Sequence, residues 1–253
     1  MYAEERQQEI LRRARAAGRV DVVSLAGELD VTTETIRRDL TALERAGVLR
    51  RVHGGAIPVE RLGFEPALAA RDEVMTAEKE RIAKAALAEL PEDGSVIIDA
   101  GTTTGRLVGV LPADRELTVV VNSPPLATAL AARANLNVIM LGGRVRGRTL
   151  ATVDDWALRP LSQLHVDVAF MATNGCSAAR GLTTPDPAEA AIKRAMVGAA
   201  QRSVLLADHT KFTNTYLASF ATLAEIDVVI TDTGLDPALA AELSAAGPEV
   251  VRA

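Results

Sequence analysis

A chain of 253 residues whose one cysteine is Cys176 cannot close an internal disulfide or assemble a cysteine-based zinc site. Aromatic residues are almost as scarce, at 3%. Readers of RNA and single-stranded DNA stack bases on aromatic side chains, so that class is disfavoured. No apolar run approaches the roughly 20 residues that cross a bilayer. The N-terminal "MYAEERQQEILRRA" is charged and helix-patterned rather than a signal peptide. His53, His165 and His209 are too dispersed to suggest a metal site, and surface or core roles are expected of them. No G-x-G-x-x-G follows a strand and no Gly-Lys-Ser/Thr loop is present. No cofactor and no metal are expected, and the expected compartment is the cytoplasm.

What is present is an ordinary globular composition, 48% hydrophobic and 24% charged, with the charge unevenly placed. Residues 1–55 hold ten arginines and nine acids, a balance of +1, which leaves −6 of the net −5 to the rest. Within 35–55, five arginines face only Asp39 and Glu44. A positive patch inside an acidic chain is what a local duplex-binding face requires.

Three short helices and a β-ribbon are predicted for these residues. "EERQQEILRRARAAG" supplies Ile10 and Leu11 to a core and closes at Gly18. Asp21 is placed to cap "VVSLAGELD", where Leu25, Ala26 and Leu29 face inward. Thr32 caps a third helix in which Ile36, Leu40 and Leu43 form one apolar stripe. At about 100° per residue Arg38 falls nearly opposite that stripe, with Arg37 flanking it. Thr32, Thr33, Glu34 and Thr35 occupy the helix start, the part of a helix-turn-helix that meets base edges. "GVLRRVHGGAIPV" then reads as a wing carrying Arg50, Arg51 and His53 to a nearby phosphate.

The expected domains are 1–57 for DNA binding, 58–75 as a linker, and 76–253 for sensing. From residue 76 the pattern alternates helix and strand. Apolar runs at 95–100, 117–123, 136–143, 166–173, 203–208 and 226–232 predict a mostly parallel sheet covered on both faces. In open α/β sheets ligands lie beyond the carboxyl ends of strands. The first run passes through Asp99 and Gly101 into Thr102, Thr103 and Thr104 at a helix start, where hydroxyls and free N–H groups suit an anion. The next runs end in Asn122-Ser123, Gly142-Gly143 and Asp208, with Lys211 one turn on. Arg144, Arg146 and Arg148 follow the glycines; at least two of them read as a solvated loop, and Arg144 and Arg146 are kept as secondary ligand-binding candidates. Glu189 and Lys193, four apart on a helix, have the spacing of a surface ion pair and are retained as secondary candidates. Trp156 and Cys176 read as packing residues.

"VTTETIRRDLTALERAGVLRRVHGGA" resembles the winged helix-turn-helix of the DeoR family of bacterial transcriptional regulators. "EKERIAKAA", "IIDAGTTT", "VNS", "LGGR", "DVAFMATNG", "AIKRAM" and "LLADHTKF" resemble its sensor domain in the same order. The resemblance implies a small DNA-binding domain followed by a larger α/β domain built like ribose-5-phosphate isomerase. It implies operator DNA and a phosphorylated sugar as partners, with Asp99, Gly101, Thr102, Thr103, Asn122, Gly142, Asp208 and Lys211 as pocket positions. The helix of Glu189 and Lys193 borders the pocket in that family. Val121 stands where a threonine is usual, and His209-Thr210 replaces Xaa-Ser before Lys211. The texture of "GGRVRGRTLATVDDWALR" and "NGCSAARGLTTPD" is most similar to fructose-uptake regulators of high-GC Gram-positive bacteria, which implies fructose 1-phosphate and a repressor. A homo-oligomer is expected, because paired half-sites need paired reading helices.

An isomerase or deaminase is the competing reading, because that fold is shared with such enzymes. It would need a carboxylate base beside the sugar carbons, from Asp99, Asp167, Glu189 or Asp208, with Lys193 as electrophile. A recognition helix serves no purpose in a catalytic domain, which favours the regulator.

Overall fold

Helix α1 (Ala3–Ala17), strand β1 (Val20–Asp21), helix α2 (Val22–Glu28) and helix α3 (Thr33–Arg45) open the chain in the computed structural model, which describes residues 2–17, 19–58, 65–212 and 214–253. Strands β2 (Leu49–Val52) and β3 (Gly55–Pro58) follow, and β1, β3 and β2 make a small antiparallel sheet. Local chemistry sets the boundaries. The Asp21 carboxylate accepts from the N–H groups of Val23 (2.9 Å) and Ser24 (3.2 Å), capping α2. Asp30 turns the chain at φ 52, and Thr32 Oγ1 then accepts from Thr35 N at 3.2 Å to cap α3. Ile10, Leu25, Ala26, Leu29, Ile36, Leu40, Leu43 and Leu49 are buried together. The predicted stop at Gly18 lies outside the described residues.

The chain divides into two units, Met1–Arg71 and Asp72–Ala253. Residues 59–64 of the stretch read as a linker lie outside the described residues; further on, Leu68–Asp72 forms a short helix, α4.

The second unit begins with helix α5 (Thr76–Ala85), which tightens into a 3₁₀ turn over Ala86–Glu89. Strand β4 (Gly94–Ile98), helix α6 (Thr102–Val110), strand β5 (Leu117–Val121), helix α7 (Pro124–Ala131) and strand β6 (Leu136–Met140) come next. A hairpin of β7 (Arg144–Arg146) and β8 (Ala151–Val153) leads to helix α8 (Asp155–Leu161) and strand β9 (Val166–Met171). Strands β10 (Gly175–Ser177) and β11 (Gly181–Thr184), helix α9 (Pro187–Gly198), strands β12 (Ala200–Leu206), β13 (Ala218–Ala221) and β14 (Val228–Thr231), helix α10 (Pro237–Ala245) and strand β15 (Glu249–Arg252) complete the order.

Seven of these strands form one parallel sheet in the order β15-β14-β12-β9-β4-β5-β6. Successive side chains alternate between its faces. Ile97, Val120, Ala169, Met171, Leu205 and Val229 pack on one side with α8, α9 and α10 residues. Val96, Ile98, Val119, Val121, Val168, Phe170, Val204 and Leu206 pack on the other with residues of α5, α6 and α7. Burial on both faces explains why the strands read as continuous apolar runs. All six predicted runs lie in this sheet. Strand β15 and the antiparallel β10-β11-β13 and β7-β8 pieces were not foreseen. Among the described residues no helix is long and apolar enough to cross a membrane.

Chain direction reverses beside β4. It runs outward through β5 and β6, then returns to place β9 on the other side of β4 and continues through β12, β14 and β15. The gap between β4 and β9 is therefore the topological switch point, where such sheets accept ligands.

One packing expectation is corrected. Trp156 is 81% exposed, because Ala157 and Leu161 take the buried side of α8. Cys176 is buried as expected, and burial pushes its thiol up to about 12.

Candidate functional site

Helix α3 turns Ile36, Leu40 and Leu43 inward, so its outer face carries Arg37 and Arg38, with side chains 54% and 81% exposed. Glu34 sits between them, 3.8 Å from Arg37 Nη1 and 3.7 Å from Arg38 Nε. Thr33 and Thr35 are half-buried in the first turn, and Thr32 is occupied as its cap. Glu34, Arg37, Arg38, Thr41, Arg45 and Arg51 line one shallow hollow. Arg51 belongs to the wing, and its backbone N–H donates to Glu44 (2.9 Å) while Nη1 donates to Thr41 Oγ1 (3.2 Å). Wing and helix are thus joined by side-chain bonds. Arg50 and His53 are also exposed, and Gly54 takes φ 77 at the hairpin tip.

Asp39, counted in the sequence against the local positive charge, does not dilute this face. It is buried on the opposite side, where Arg6 Nε donates to Oδ2 at 2.5 Å and Gln7 Nε2 to Oδ1 at 3.0 Å. The exposed face is more positive than its residue count.

In the second unit the centre of the rim is Asp99, buried where β4 ends at the switch point. Its carboxylate accepts from Ala172 N (3.0 Å), just beyond β9, from Asn122 Nδ2 (3.4 Å), just beyond β5, and from Lys193 Nζ. Lys193 also donates to Ala172 O at 3.1 Å and stands 5.5 Å from the Phe220 ring centroid. Asn122 Oδ1 in turn accepts from Ala100 N at 2.7 Å. Three neighbouring strand ends are therefore held in one polar network. Gly101 follows in extended backbone, and a Cβ there would come within 2.8 Å of Ala172 Cβ and Thr104 Oγ1. Thr102, Thr103 and Thr104 are buried in the first turn of α6, whose leading N–H groups have no intrahelical acceptor.

Ser123 is buried beside Asn122 and precedes α7. Thr152 Oγ1 donates to both Asn122 O (3.2 Å) and Leu141 O (3.0 Å), so β8 seals the β5–β6 end of the rim. Gly142 is open, whereas Gly143 takes φ 118, and a Cβ there would come within 2.5 Å of Val153 O. On the other flank, β12 ends in buried Asp208, two strand spacings or about 10 Å from β4. Burial raises the Asp208 carboxyl, but the charges of Lys211 and Lys79 and the bonds from Thr210 outweigh it and leave the value lowered. Lys211 Nζ is 3.7 Å from Asp208 Oδ2.

The surface-pair spacing of Glu189 and Lys193 is misleading. Both are buried, and each has a different partner: Lys193 meets Asp99, while Glu189 accepts from Arg146 Nη1 (2.9 Å) and Thr149 Oγ1. Arg146 also reaches Asp186 at 2.9 Å, so it is a structural tie between the hairpin and α9. Arg144 stands apart from this network, exposed and paired with Asp154 at 2.7 Å, and Arg148 is exposed. Sequence reasoning passed over Lys79, buried on α5, and Asp232, which accepts from His209 N (2.8 Å) and pairs with its Nδ1 (2.7 Å). The available signal for Asp232 was its place at a strand end, as with Asp99 and Asp208. Lys79 gave none beyond lying in "EKERIAKAA".

Asp99 is poorly placed for proton abstraction, because three donors already occupy its oxygens. The arrangement favours holding a polar, anionic ligand.

Residues 6–61 match the DeoR-like helix-turn-helix domain and residues 74–233 the DeoR C terminal sensor domain. The chain is 38% identical over 251 residues to the HTH-type transcriptional regulator GlpR of Haloferax volcanii, covering 99% of this chain and 98% of that one. It is 33% identical to FruR of Bacillus subtilis, an uncharacterized HTH-type transcriptional regulator, covering 92% of each. Against the putative aga operon transcriptional repressor of Escherichia coli O157:H7 the identity is 30%, over 98% of this chain and 93% of that one. Among solved structures, ribose 5-phosphate isomerase A of Neisseria gonorrhoeae aligns with TM-score 0.40 and 17% identity, over 56% of this chain and 54% of that one.

Proposed function

The chain belongs to the DeoR family of transcriptional regulators, and we propose that it is a homo-oligomeric cytoplasmic repressor released from its operator by a phosphorylated sugar. Helix α3 reads the major groove through Glu34, Arg37 and Arg38, with Thr33 and Thr35 at its start, and the wing brings Arg50, Arg51 and His53 to phosphates. The effector lies at the strand rim. Its phosphate meets the first turn of α6 and Lys211, while Asn122, Ser123 and the Gly142-Gly143 backbone face its hydroxyls and Asp99 holds Asn122 and Lys193 in place behind them.

The observation that carries this reading is the Asp99–Asn122–Lys193 network at the switch point, flanked by a helix N-terminus and by Lys211. The similarity to a protein named as an operon repressor supports the sign of regulation. Fructose 1-phosphate is the effector we name first. Operator binding by fluorescence anisotropy, titrated with fructose 1-phosphate and other sugar phosphates, tests the proposal. Operator affinity indifferent to every compound would overturn it.

A further inference from the structure

The rim is tied to the segment that leads into the second unit. Arg106 lies on α6, one turn beyond Thr102, and its Nη2 reaches Asp72 O (3.3 Å) and Asp72 Oδ1 (3.0 Å). Asp72 O also accepts from Thr76 Oγ1 at 3.4 Å. Two residues on, Val74 O accepts from Lys79 Nζ at 2.6 Å. Met75, directly after these anchors, takes φ 56, a left-handed conformation that an unbranched L-residue adopts only under constraint. The junction of residues 72–75 is thus held by one cation from α6 and one from α5.

Both holds come from elements that also bear on the rim. The first turn of α6 carries Thr102, Thr103 and Thr104. The charge of Lys79 acts on Asp208, alongside that of Lys211. Arg106 Nε is buried and has no hydrogen-bond partner among the described residues. A buried unsatisfied donor is costly, so the present grip leaves a better one unused. A guanidinium meets a carboxylate best through two parallel N–H bonds, and here only Nη2 engages Asp72. A small rotation or shift of α6 that brought Nε onto Asp72 would satisfy the orphan and alter the junction.

We propose that Arg106 is a positioning residue that relays anion arrival at the first turn of α6 to Asp72, and through the junction to DNA binding. Lys79 holds Val74 as the fixed end of the relay. The relay rests on the proposed rim site for a sugar phosphate. It requires no contact between Arg106 and the ligand, so ligand affinity and ligand response become separable.

The full-length chain is compared with Arg106→Lys, which keeps the charge but loses the fork, and Asp72→Asn, which keeps the shape but loses the charge. Thermal unfolding shows that each variant is folded. Effector affinity is read by calorimetry with fructose 1-phosphate, operator affinity by anisotropy with and without it, and exchange of the amides of residues 72–79 by mass spectrometry. Allosteric factors are about 5–150-fold, and both variants should fall below about threefold while binding effector and free operator as the wild type does. In the wild type, ligand should change amide exchange at 72–79; in the variants that change should shrink. Variants released from operator by the wild-type factor would overturn the relay and leave the effector site standing. A wild type that binds no sugar phosphate overturns the effector site instead. Exchange at 72–79 is then read with inorganic phosphate, and no change there overturns the relay too.

Discussion

Lys193 and Asp99 meet across the reversal point of the sheet, both buried, the lysine from α9 and the carboxylate from the end of β4. A buried pair that loses one partner leaves an uncompensated charge, at a cost of about 3–5 kcal/mol. Lys193→Met should therefore destabilise the second unit by about that much, while Lys193→Met with Asp99→Asn should recover part of the loss. Urea denaturation measures both. Additive losses in the double variant would show that the two side chains act independently.

Acid should act on the same rim through Asp208. Its carboxyl is lowered in the folded chain, against burial, by Lys211, Thr210 and Lys79. A depressed carboxyl contributes stability that is complete above its unfolded value of about 3.9 and disappears as pH falls through the lower folded value. Stability of the second unit should hold down to about pH 4 and drop below it, with a shallower drop in Asp208→Asn. A pH series of thermal unfolding checks the slope. Identical slopes in both proteins would remove Asp208 from the explanation.

The period of side chains made much of this visible in advance. Ile36, Leu40 and Leu43 announced which face of α3 is exposed, and the six apolar runs announced a doubly covered sheet. Strand ends then located Asp99, Asn122 and Asp208. Spacing misled where tertiary partners decide. Glu189 and Lys193 have the helical separation of a solvent-exposed pair, yet Arg146 and Asp99 reach them from 43 and 94 residues away. Asp39 likewise counted as surface charge until Arg6 took it inward. Strand β15 was missed because Glu249 and Arg252 at its ends belong to an edge strand, which lacks the continuous apolar signature.

The Arg6–Asp39 pair gives a prediction that separates folding from reading. Arg6 is remote from the outer face of α3, yet Arg6→Ala leaves Asp39 buried without its main partner. Operator affinity should fall together with the thermal stability of the first unit. Arg38→Ala should instead leave stability unchanged and lower affinity alone. If Arg38 grips a guanine, discrimination against a changed base should shrink by about 1–3 kcal/mol. If it grips a phosphate, the slope of log affinity on log salt should fall by about 0.9. Operator and random DNA over a salt series distinguish the two. Unchanged affinity and slope would return Arg38 to a merely solvated face.

Lys211 supplies the sharpest test of the effector site. Its ammonium lies 3.7 Å from the Asp208 carboxylate and is only partly exposed, so it is held near the rim without being bound tightly to it. An arriving phosphate competes with one carboxylate oxygen for that charge. Charge-assisted bonds contribute about 1.5–3 kcal/mol, so Lys211→Ala should raise the effector concentration for half-release by roughly one to two orders of magnitude. Operator affinity without effector should not change, because the reading helix belongs to the other unit. Removing Lys211 also leaves Asp208 less compensated, and thermal unfolding with Lys211→Gln controls for that loss. The measurement is anisotropy titrated with fructose 1-phosphate and other sugar phosphates. A wild-type midpoint in Lys211→Ala would place the phosphate elsewhere on the rim, with the first turn of α6 and Lys79 the next positions to vary.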